Sequence, residues 1–292
     1  METEKINQQF GLPDGRQLGF AEYGDLNGEP VFYFHGWPSS RLEPRSGQSL
    51  CARLGVRMIA PDRPGYGLSD FKARRTIPDW VSDVRALADY LAIKRFVVLG
   101  VSGGGPYAAA CAAKMPERLV AALMVCSIAP ADAPDATKGM VALHRCLLSF
   151  ARTTPRLAQC VAGMCMKFFW REGAQVIPEQ VETRLPPADQ RALGSADLRQ
   201  TLIASSKEAL RQGVRGAATD GLLYARPWGF KLQDIKMPVH LWQGEKDVIV
   251  PPAMGRYLAK AIPDCHARFY EEDGHFSLAF NRLEEILEPM MG

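Results

Sequence analysis

One stretch near the middle of the chain restricts its possible folds more than any other. Residues 96–99 are four consecutive apolar residues, two of them valine, which is typical of a buried strand. Ser102 follows in a run of glycines at positions 100, 103, 104 and 105, and the mostly small residues 107–114 favour a helix. The stretch therefore predicts a strand, a sharp turn and a helix, with one hydroxyl group at the corner.

Glycines on both sides of Ser102 indicate how tight this turn is. A side chain at either position would collide with the adjoining strand and helix, so Gly100 and Gly104 leave the space that the turn needs. A Gly-x-Ser-x-Gly pattern between a strand and a helix is typical of a nucleophilic serine. The alternatives are a glycine-rich turn without chemistry and a phosphate-binding loop. The second is disfavoured, because the stretch has neither the dinucleotide pattern G-x-G-x-x-G with a later acidic residue nor the Gly-Lys-Ser/Thr of a P-loop.

The composition favours one large α/β domain, or one such domain with an insertion, since the 292 residues are 47% hydrophobic and 23% charged. A net charge of +3, from 35 basic and 32 acidic residues, gives no reason to expect nucleic acid or an anionic membrane as a partner. No apolar run reaches the roughly 18 residues of a membrane span. Residues 1–7 lack the apolar core of a secretory signal, so we expect a cytoplasmic protein without a transmembrane segment.

The seven cysteines stand at scattered positions, and no Cys-x-x-Cys pair occurs among them. We expect neither a disulfide framework nor a zinc site, and most of these cysteines should be reduced and buried. No other pattern in the chain predicts a metal or a cofactor. Reduced cysteines also fit a cytoplasmic location.

Strands and helices alternate along the first part of the chain. After a hairpin over residues 10–24, with its turn at Asp14-Gly15, apolar strands are predicted at residues 31–34, at the start of residues 55–70 and within residues 118–127. Residues 79–91 have the apolar spacing of an amphipathic helix, with Asp79 as its N-cap. The alternation predicts the α/β class, with a mostly parallel central sheet flanked by helices and sites at the carboxyl ends of its strands.

The pattern changes between residues 131 and 234, where strand signals disappear and prolines become frequent. Residues 140–170 and 184–226 have helical periodicity, so we predict an all-helical insertion that forms a lid domain. The catalytic domain then consists of residues 1–130 and 235–292. The Met- and Phe-rich part of the insertion either lines an apolar pocket or only holds the lid helices together.

Three polar residues of the chain each follow a predicted strand. They are Ser102, Asp247 after the strand that ends near Gly244, and His275 after the strand at residues 267–270, with a closing helix at residues 278–287. A serine hydroxyl is too weakly acidic to attack unaided, so an imidazole must take its proton and a carboxylate must orient the imidazole. Their order along the chain, serine then acid then histidine, predicts a catalytic triad.

A loop after the strand at residues 31–34 is a second part of the predicted site. It begins His35-Gly36-Trp37, and Gly36 lets the backbone approach a bound substrate closely. We predict that the backbone N–H groups of Trp37 and Gly103 bind the negative oxygen that forms during acyl transfer. The alternative is an ordinary loop with a surface tryptophan. His35 is interpreted as structural, because it lies at the strand end before the loop turns.

Other residues compete for the acid and base roles. Asp132, just after a strand, is the main alternative to Asp247. Asp273 is too close to His275 in sequence to orient it, and Asp62 is interpreted as bracing its own loop. The other histidines do not follow a strand end as His275 does, and they are His144, His240 and His266.

Five segments together resemble one known family. They are His35-Gly36-Trp37-Pro38, Pro61-Asp62-Arg63-Pro64-Gly65-Tyr66-Gly67-Leu68-Ser69, Gly100-Val101-Ser102-Gly103-Gly104-Gly105, Gly244-Glu245-Lys246-Asp247 with Pro251-Pro252, and Gly274-His275. On these segments the chain resembles a serine hydrolase of the α/β-hydrolase superfamily with a helical cap, similar to the esterase, lipase and proline-iminopeptidase branches. The serine at the turn disfavours the haloalkane dehalogenase and epoxide hydrolase branches, which use aspartate there. The resemblance covers the predicted catalytic domain and does not extend to the insertion at residues 131–234.

The resemblance implies a cofactor-independent carboxylesterase acting on a small-molecule ester, and the apolar insertion favours a lipophilic one. A second hypothesis is an aminopeptidase acting on N-terminal proline, in which carboxylates such as Glu172, Glu179 and Glu182 hold the substrate ammonium group. A third is a ligand-binding receptor that keeps the triad and responds by moving its lid.

Overall fold

One sheet of eight strands forms the centre of the computed structural model. The structure describes residues 5–131, 133–140 and 182–290, together with residues 145, 146, 149 and 153. The strands are β1 (Gln8–Gly11), β2 (Gln17–Gly24), β3 (Glu29–Phe34), β4 (Val56–Pro61), β5 (Phe96–Val101), β6 (Leu119–Val125), β7 (Val239–Gly244) and β8 (Cys265–Tyr270). Their order across the sheet is β1-β2-β4-β3-β5-β6-β7-β8.

The sheet is antiparallel at one edge and parallel elsewhere. Strand β2 pairs antiparallel with β1 and with β4, and every other neighbouring pair is parallel. The β1–β2 hairpin turns at Asp14-Gly15, where Gly15 has a φ of +86° that favours glycine. The mostly parallel arrangement places the carboxyl ends of β3, β5, β6, β7 and β8 at the same edge of the sheet.

Helices cover both faces of the sheet. They are α1 (Gln48–Arg53), α2 (Trp80–Tyr90), α3 (Gly105–Lys114), α4 (Pro187–Leu193), α5 (Ala196–Ala209), α6 (Arg215–Tyr224), α7 (Pro252–Ala261), α8 (His275–Asn281) and α9 (Leu283–Leu287). Helices α2, α3 and α7 contribute to the core on one face, and α1, α8 and α9 contribute to the core on the other.

The central strand β5 shows why its sequence is a continuous apolar run. Side chains alternate between the two faces of a strand. Phe96 and Val98 therefore join one core, while Val97, Leu99 and Val101 join the other. Each such fully buried side chain contributes about 1.5–3 kcal/mol of hydrophobic stabilisation.

Two helix boundaries differ from the sequence predictions. The closing helix is two helices, because the backbone leaves the helical conformation at Arg282, and the first of them begins at His275 rather than at residue 278. Helix α2 begins at Trp80 as expected, but Asp79 is not a side-chain N-cap. Its carboxylate instead accepts hydrogen bonds from the backbone and the hydroxyl of Thr76, at 2.6 and 2.8 Å.

The described residues between β6 and β7 form helices and no strand, as the sequence predicts for the insertion (residues 131–234). Tyr224, Trp228 and Leu232 of this insertion belong to one of the two cores of the sheet. A separate small core between α4 and α5 packs against Val248 and Phe276. The predicted helical stretch 140–170 lies almost entirely outside the described residues, and so does most of the Met- and Phe-rich part.

Within the described ranges, no helix combines the length and the apolar character that crossing a membrane requires.

Candidate active site

The turn after β5 holds Ser102 in a conformation that few residues other than glycine adopt. Its φ is +54°, and a non-glycine residue in this region costs on the order of 1–3 kcal/mol. The adjoining glycines are required by close approach. A Cβ atom on Gly104 would lie 1.9 Å from the Phe34 carbonyl oxygen, and one on Gly100 would lie 2.6 Å from the Gly104 carbonyl oxygen. The strand, turn and helix of the sequence prediction are therefore present, with the serine at the corner.

Asp247 and His275 are brought together by the loops after β7 and β8. The Nδ1 atom of His275 lies 2.8 Å from Asp247 Oδ2. The other carboxylate oxygen accepts the backbone N–H groups of Ile249 and Val250, each at 2.8 Å, so the carboxylate cannot rotate freely. This pattern assigns the proton of the neutral imidazole to Nδ1 and leaves Nε2 free to accept one.

Ser102 follows β5, which is separated from β7 by one strand, β6. Its carbonyl oxygen accepts the N–H of Ile128, which follows β6, at 3.3 Å. Among the described residues the structure records no hydrogen bond between the Ser102 hydroxyl and His275. The serine is 9% exposed and the histidine 6%, so both are largely shielded from bulk water. Catalytic hydrogen bonds in proteins without substrate are often long and tighten when substrate binds.

The electrostatic surroundings favour the protonated form of His275. Burial by itself lowers the pKa of an imidazole, but here the charge and the hydrogen bond of Asp247 outweigh it. Asp189 and Glu43 add smaller contributions of the same sign. The pKa of His275 is therefore raised above its ordinary value, which suits a base that must take a proton and hold it as imidazolium.

A buried aspartate that the sequence analysis missed holds the backbone of His275. Asp189, in helix α4, accepts the N–H groups of His275, Phe276 and Ser277 at 2.8, 3.0 and 2.8 Å, and the Ser277 hydroxyl at 2.9 Å. These are the first donors of helix α8, so Asp189 caps that helix from another part of the chain. A Cβ on Gly274 would lie 2.3 Å from Asp189 Oδ2, which explains the glycine before the histidine.

The two predicted oxyanion donors are neighbours. A Cβ on Gly103 would lie 2.9 Å from Trp37 Cβ, so the loop after β3 passes directly beside the turn after β5. The backbone N–H of Trp37 donates to no atom of the described residues. The preceding residue is fixed, because the Gly36 N–H donates to Glu43 Oε2 at 2.6 Å and the Gly36 carbonyl oxygen accepts Arg63 Nη2 at 2.8 Å.

Glu43 is a second buried acid that sequence reasoning did not identify. Its carboxylate accepts hydrogen bonds from the Gly36 backbone and from Tyr33 Oη, at 2.6 and 3.2 Å. Burial raises the pKa of Glu43, and these hydrogen bonds oppose the rise without cancelling it. The carboxylate of Glu43 thus supports the backbone of the loop that carries Trp37.

The competing residues occupy other places. The His35 ring lies 2.9 Å from the Gly36 carbonyl oxygen at Nδ1 and accepts the Arg63 N–H at Nε2, as expected of a structural histidine. Asp62 accepts the Arg41 and Leu68 N–H groups and so braces its own loop. Asp273 pairs with Arg282 at 3.0 Å. The rings of His240 on β7 and His266 on β8 stack on each other, with their centroids 5.1 Å apart.

Some predicted residues lie outside the described ranges, namely Asp132, His144, Glu172 and Glu179. Glu182, the remaining carboxylate of the peptidase hypothesis, is described and pairs with Arg199 through two hydrogen bonds. In this structure its carboxylate is therefore paired with an arginine, and the role proposed for it in the peptidase hypothesis stays a prediction.

One set of potential metal ligands lies close together in the described part of the chain. The ligand atoms of Cys126, Asp247 and His275 are all within 4.8 Å of one another. Burial and the charge of Asp247 raise the pKa of the Cys126 thiol well above its ordinary value, so it keeps its proton. Because Asp247 and His275 also bond to each other, this arrangement fits proton transfer better than metal binding.

Comparisons with known proteins match most of the chain to one family. The sequence model described as "Alpha/beta hydrolase family" matches residues 31–288. The chain is 33% identical over 119 residues to a non-heme chloroperoxidase from Streptomyces lividans, covering 40% of this chain and 43% of that protein. It is 29% identical over 118 residues to the bifunctional esterase/perhydrolase DCH from Acinetobacter calcoaceticus, with shares of 40% and 43%. The matches thus span less than half of these curated relatives.

Solved structures share the fold over nearly the whole length. The esterase RhEst1 from Rhodococcus sp. ECU1013 superposes with a TM-score of 0.68 at 20% identity, covering 98% of both chains. At this identity the likeness concerns the fold alone. Together with the eight-stranded sheet, it confirms the predicted mostly parallel α/β architecture.

Proposed function

The chain belongs to the alpha/beta hydrolase family, and we propose that it is a serine hydrolase that cleaves a carboxylic ester through an acyl-enzyme. The observation that carries the proposal is the 2.8 Å contact between His275 Nδ1 and Asp247 Oδ2, at the same sheet edge as a serine with a φ of +54°. A strained serine, an oriented imidazole and two backbone donors are what acyl transfer requires.

In the proposed mechanism, Ser102 Oγ attacks the ester carbonyl carbon while His275 Nε2 takes its proton. Asp247 stabilises the imidazolium that forms, and the N–H groups of Trp37 and Gly103 bind the negative oxygen of the tetrahedral intermediate. The intermediate collapses as His275 returns the proton to the leaving alcohol, and Ser102 remains acylated. Water then attacks the acyl-enzyme with His275 again as base, which releases the acid and restores the serine.

A cavity beside the turn has room for a substrate of moderate size. It has a volume of about 460 Å³, and its walls include Ile128, Ala129, Tyr224 and Met254. Two of these residues bond to the turn itself, since the Ile128 N–H donates to the Ser102 carbonyl and Tyr224 Oη donates to the Gly103 carbonyl. Polar and charged side chains also line the cavity, among them Thr137, Arg145 and Ser149, so its walls are mixed in character.

The relatives suggest one variation of this chemistry. Two of them are named as a chloroperoxidase and as an esterase/perhydrolase. An acyl-serine can be opened by hydrogen peroxide instead of water, which gives a peracid and the free serine. Assays of ester hydrolysis should therefore be repeated with hydrogen peroxide, and peracid formation should depend on the same serine.

The proposed function is tested by labelling and by turnover. We expect a fluorophosphonate to attach to Ser102, as located by mass spectrometry, and we expect repeated turnover in a series of nitrophenyl esters of increasing acyl length. Ser102→Ala should lower kcat by about 10⁴-fold or more, because the nucleophile is lost. Rapid multiple turnover would also separate an enzyme from a receptor that binds the ester and stops.

The matched control is Ser127→Ala, which removes another buried serine hydroxyl at the same sheet edge, one that within the described part of the chain donates to the Ile128 carbonyl oxygen. It should retain labelling and activity. If the wild-type protein leaves Ser102 unlabelled and hydrolyses none of the esters, the proposed function is wrong.

A further inference from the structure

A buried cluster of charges lies beside the site, and the proposed mechanism does not use it. Its centre is Asp220 of helix α6, which is fully buried. One oxygen of its carboxylate accepts Arg63 Nε at 2.7 Å and Tyr66 Oη at 2.8 Å, and the other accepts Arg75 Nη2 and Tyr107 Oη. Four donors thus occupy the roughly four lone-pair positions that a carboxylate offers.

The cluster keeps Asp220 ionised inside the protein. Burial alone raises the pKa of a carboxyl group, but the charges of Arg75 and Arg63 outweigh it and hold the pKa of Asp220 below its ordinary value. A buried ion pair is costly to break, because removing one partner leaves the other charged group without compensation. Arg63 therefore has one well-defined position.

From that position Arg63 holds the peptide that carries one oxyanion donor. Its two terminal nitrogens donate to the carbonyl oxygens of His35 and Gly36, the second at 2.8 Å. The Gly36 carbonyl and the Trp37 N–H belong to the same planar peptide group. A bond that fixes the oxygen therefore also fixes the direction of the N–H, and it polarises the peptide so that the N–H becomes a better donor.

Tyr224, at the end of the same helix, restrains the residue that carries the second donor, through the peptide group that follows Gly103 rather than the one that contains its N–H. Its hydroxyl donates to the Gly103 carbonyl oxygen at 2.9 Å and lies 3.2 Å from Asp220 Oδ2. Because four other donors already occupy Asp220, the single hydroxyl proton is directed to Gly103. The tyrosine also fills the space above that residue, since a Cβ on Gly103 would lie 2.7 Å from Tyr224 Oη.

We propose that Asp220 is a positioning residue for the oxyanion hole, acting on Trp37 through Arg63 and on Gly103 through Tyr224. The inference rests on the proposed function, because it concerns how that reaction is accelerated. It also gives part of the insertion a role in the reaction, because helix α6 carries the two residues, Asp220 and Tyr224, that restrain the loops of the oxyanion hole.

The first test is Asp220→Asn, which keeps the shape of the side chain and removes its charge. An amide has one acceptor oxygen, and its NH₂ group would face two of the present donors, so Arg63 would lose its fixed position. We expect kcat for a nitrophenyl ester to fall by about 10- to 100-fold, with KM within about twofold, because the oxyanion exists only in the transition state. The Ki of an alkyl trifluoromethyl ketone, which forms an oxyanion adduct with the serine, should rise by the same factor.

Two tyrosine variants keep the test informative if Asp220→Asn does not fold. Tyr224→Phe and Tyr107→Phe each remove one buried hydroxyl that contacts Asp220, but only Tyr224 bonds to the Gly103 carbonyl. We expect Tyr224→Phe to lower kcat by about 5- to 20-fold and Tyr107→Phe by less than about twofold, at similar losses in melting temperature. Equal effects of the two substitutions on kcat, or a change in KM alone, would overturn the positioning role.

Labelling separates this inference from the proposed function. Each variant should still reach full occupancy of Ser102 with the fluorophosphonate after long incubation, because its nucleophile is intact. A wild-type protein that is not labelled at Ser102 overturns the proposed function and the positioning role with it. A fully labelled, active protein whose kcat is insensitive to Asp220→Asn and Tyr224→Phe overturns the positioning role alone.

Discussion

At the scale of single residues, hydrogen bonds between backbone N–H groups and buried carboxylates hold the predicted catalytic residues in place. The carboxylate of Asp247 is held by the N–H groups of Ile249 and Val250, and the backbone of His275 is held by Asp189. Backbone donors are rigid, so the charges of the site do not need to reorganise when the reaction begins. The carboxylates that contact the backbone are buried, which strengthens each of these hydrogen bonds.

The role of Asp189 can be tested by the pH dependence of the reaction. Its charge contributes to the raised pKa of His275, so Asp189→Asn should lower that pKa. The base must be neutral to take the proton of the serine, and a lower pKa keeps it neutral at more acidic pH. The acid limb of kcat/KM against pH should therefore move to lower pH in the variant.

Asp273→Asn is the matched control for this experiment. Asp273 is also a largely buried aspartate and lies in the loop that carries His275, but it pairs with Arg282 and is not among the main causes of the shift of His275. Its substitution should leave the acid limb where it is. An Asp189→Asn profile that is unchanged, or that moves to higher pH, would contradict the electrostatic role.

At the scale of elements, the junction of β5 and α3 is where packing is tightest. It passes between the ends of β3 and β6, and three consecutive residues there are glycine. A Cβ on Gly104 would meet the backbone of Phe34, whereas one on Gly105 would meet the side chain of Ser127, 1.8 Å from its Oγ. The difference matters, because a backbone cannot give way as a side chain can.

This difference predicts a rescue. Gly105→Ala should destabilise the protein by about 1–3 kcal/mol through overpacking, and Ser127→Gly should recover much of that loss because it removes both clashing atoms. Gly104→Ala should destabilise at least as much, and Ser127→Gly should give it no relief. Urea unfolding of the single and double variants measures both couplings, and the Gly104 pair serves as the control. Equal coupling in the two pairs would show that the clash is not with the Ser127 side chain.

At the scale of the whole molecule, the described part of the insertion is joined to the sheet by polar and apolar contacts. Asp189 and Asp220 each reach from the insertion into the catalytic loops. Trp228 lies in a core that also contains Trp80, and the indole nitrogen of Trp37 donates to the Ala217 carbonyl at 2.7 Å. These contacts favour one cooperative unit rather than a separately folded lid, whose boundaries at residues 131 and 234 stay a prediction.

Cooperativity can be measured directly. We expect tryptophan fluorescence and far-UV circular dichroism to report the same urea midpoint, because breaking the contacts of Asp220 exposes buried charges in the sheet loops as well as in the insertion. Trp37 and Trp228 report on the insertion, and Trp80 and Trp242 report on the sheet. Two separated transitions would contradict a single unit and would support an independent lid.

The sequence by itself determined the sheet and the placement of the predicted catalytic residues after its strands. Apolar runs predicted the strands, and the residues that follow strand ends predicted Ser102, Asp247, His275 and the Trp37 loop. These signals are local, since each depends on the residues directly around it and on the rule that parallel strands end at one edge. The same local reasoning misplaced the start of α8, because its cap comes from residue 189.

Only the tertiary structure decided which charged residues are buried and what they hold. Asp189 lies 86 positions before His275, and Asp220 lies 157 positions after Arg63. In the sequence each is one aspartate in a polar helical stretch, where a solvent-exposed carboxylate is the ordinary expectation. Folding places both in the interior, where a carboxylate must be matched by donors, and the donors available there are the backbone and side chains of the catalytic loops.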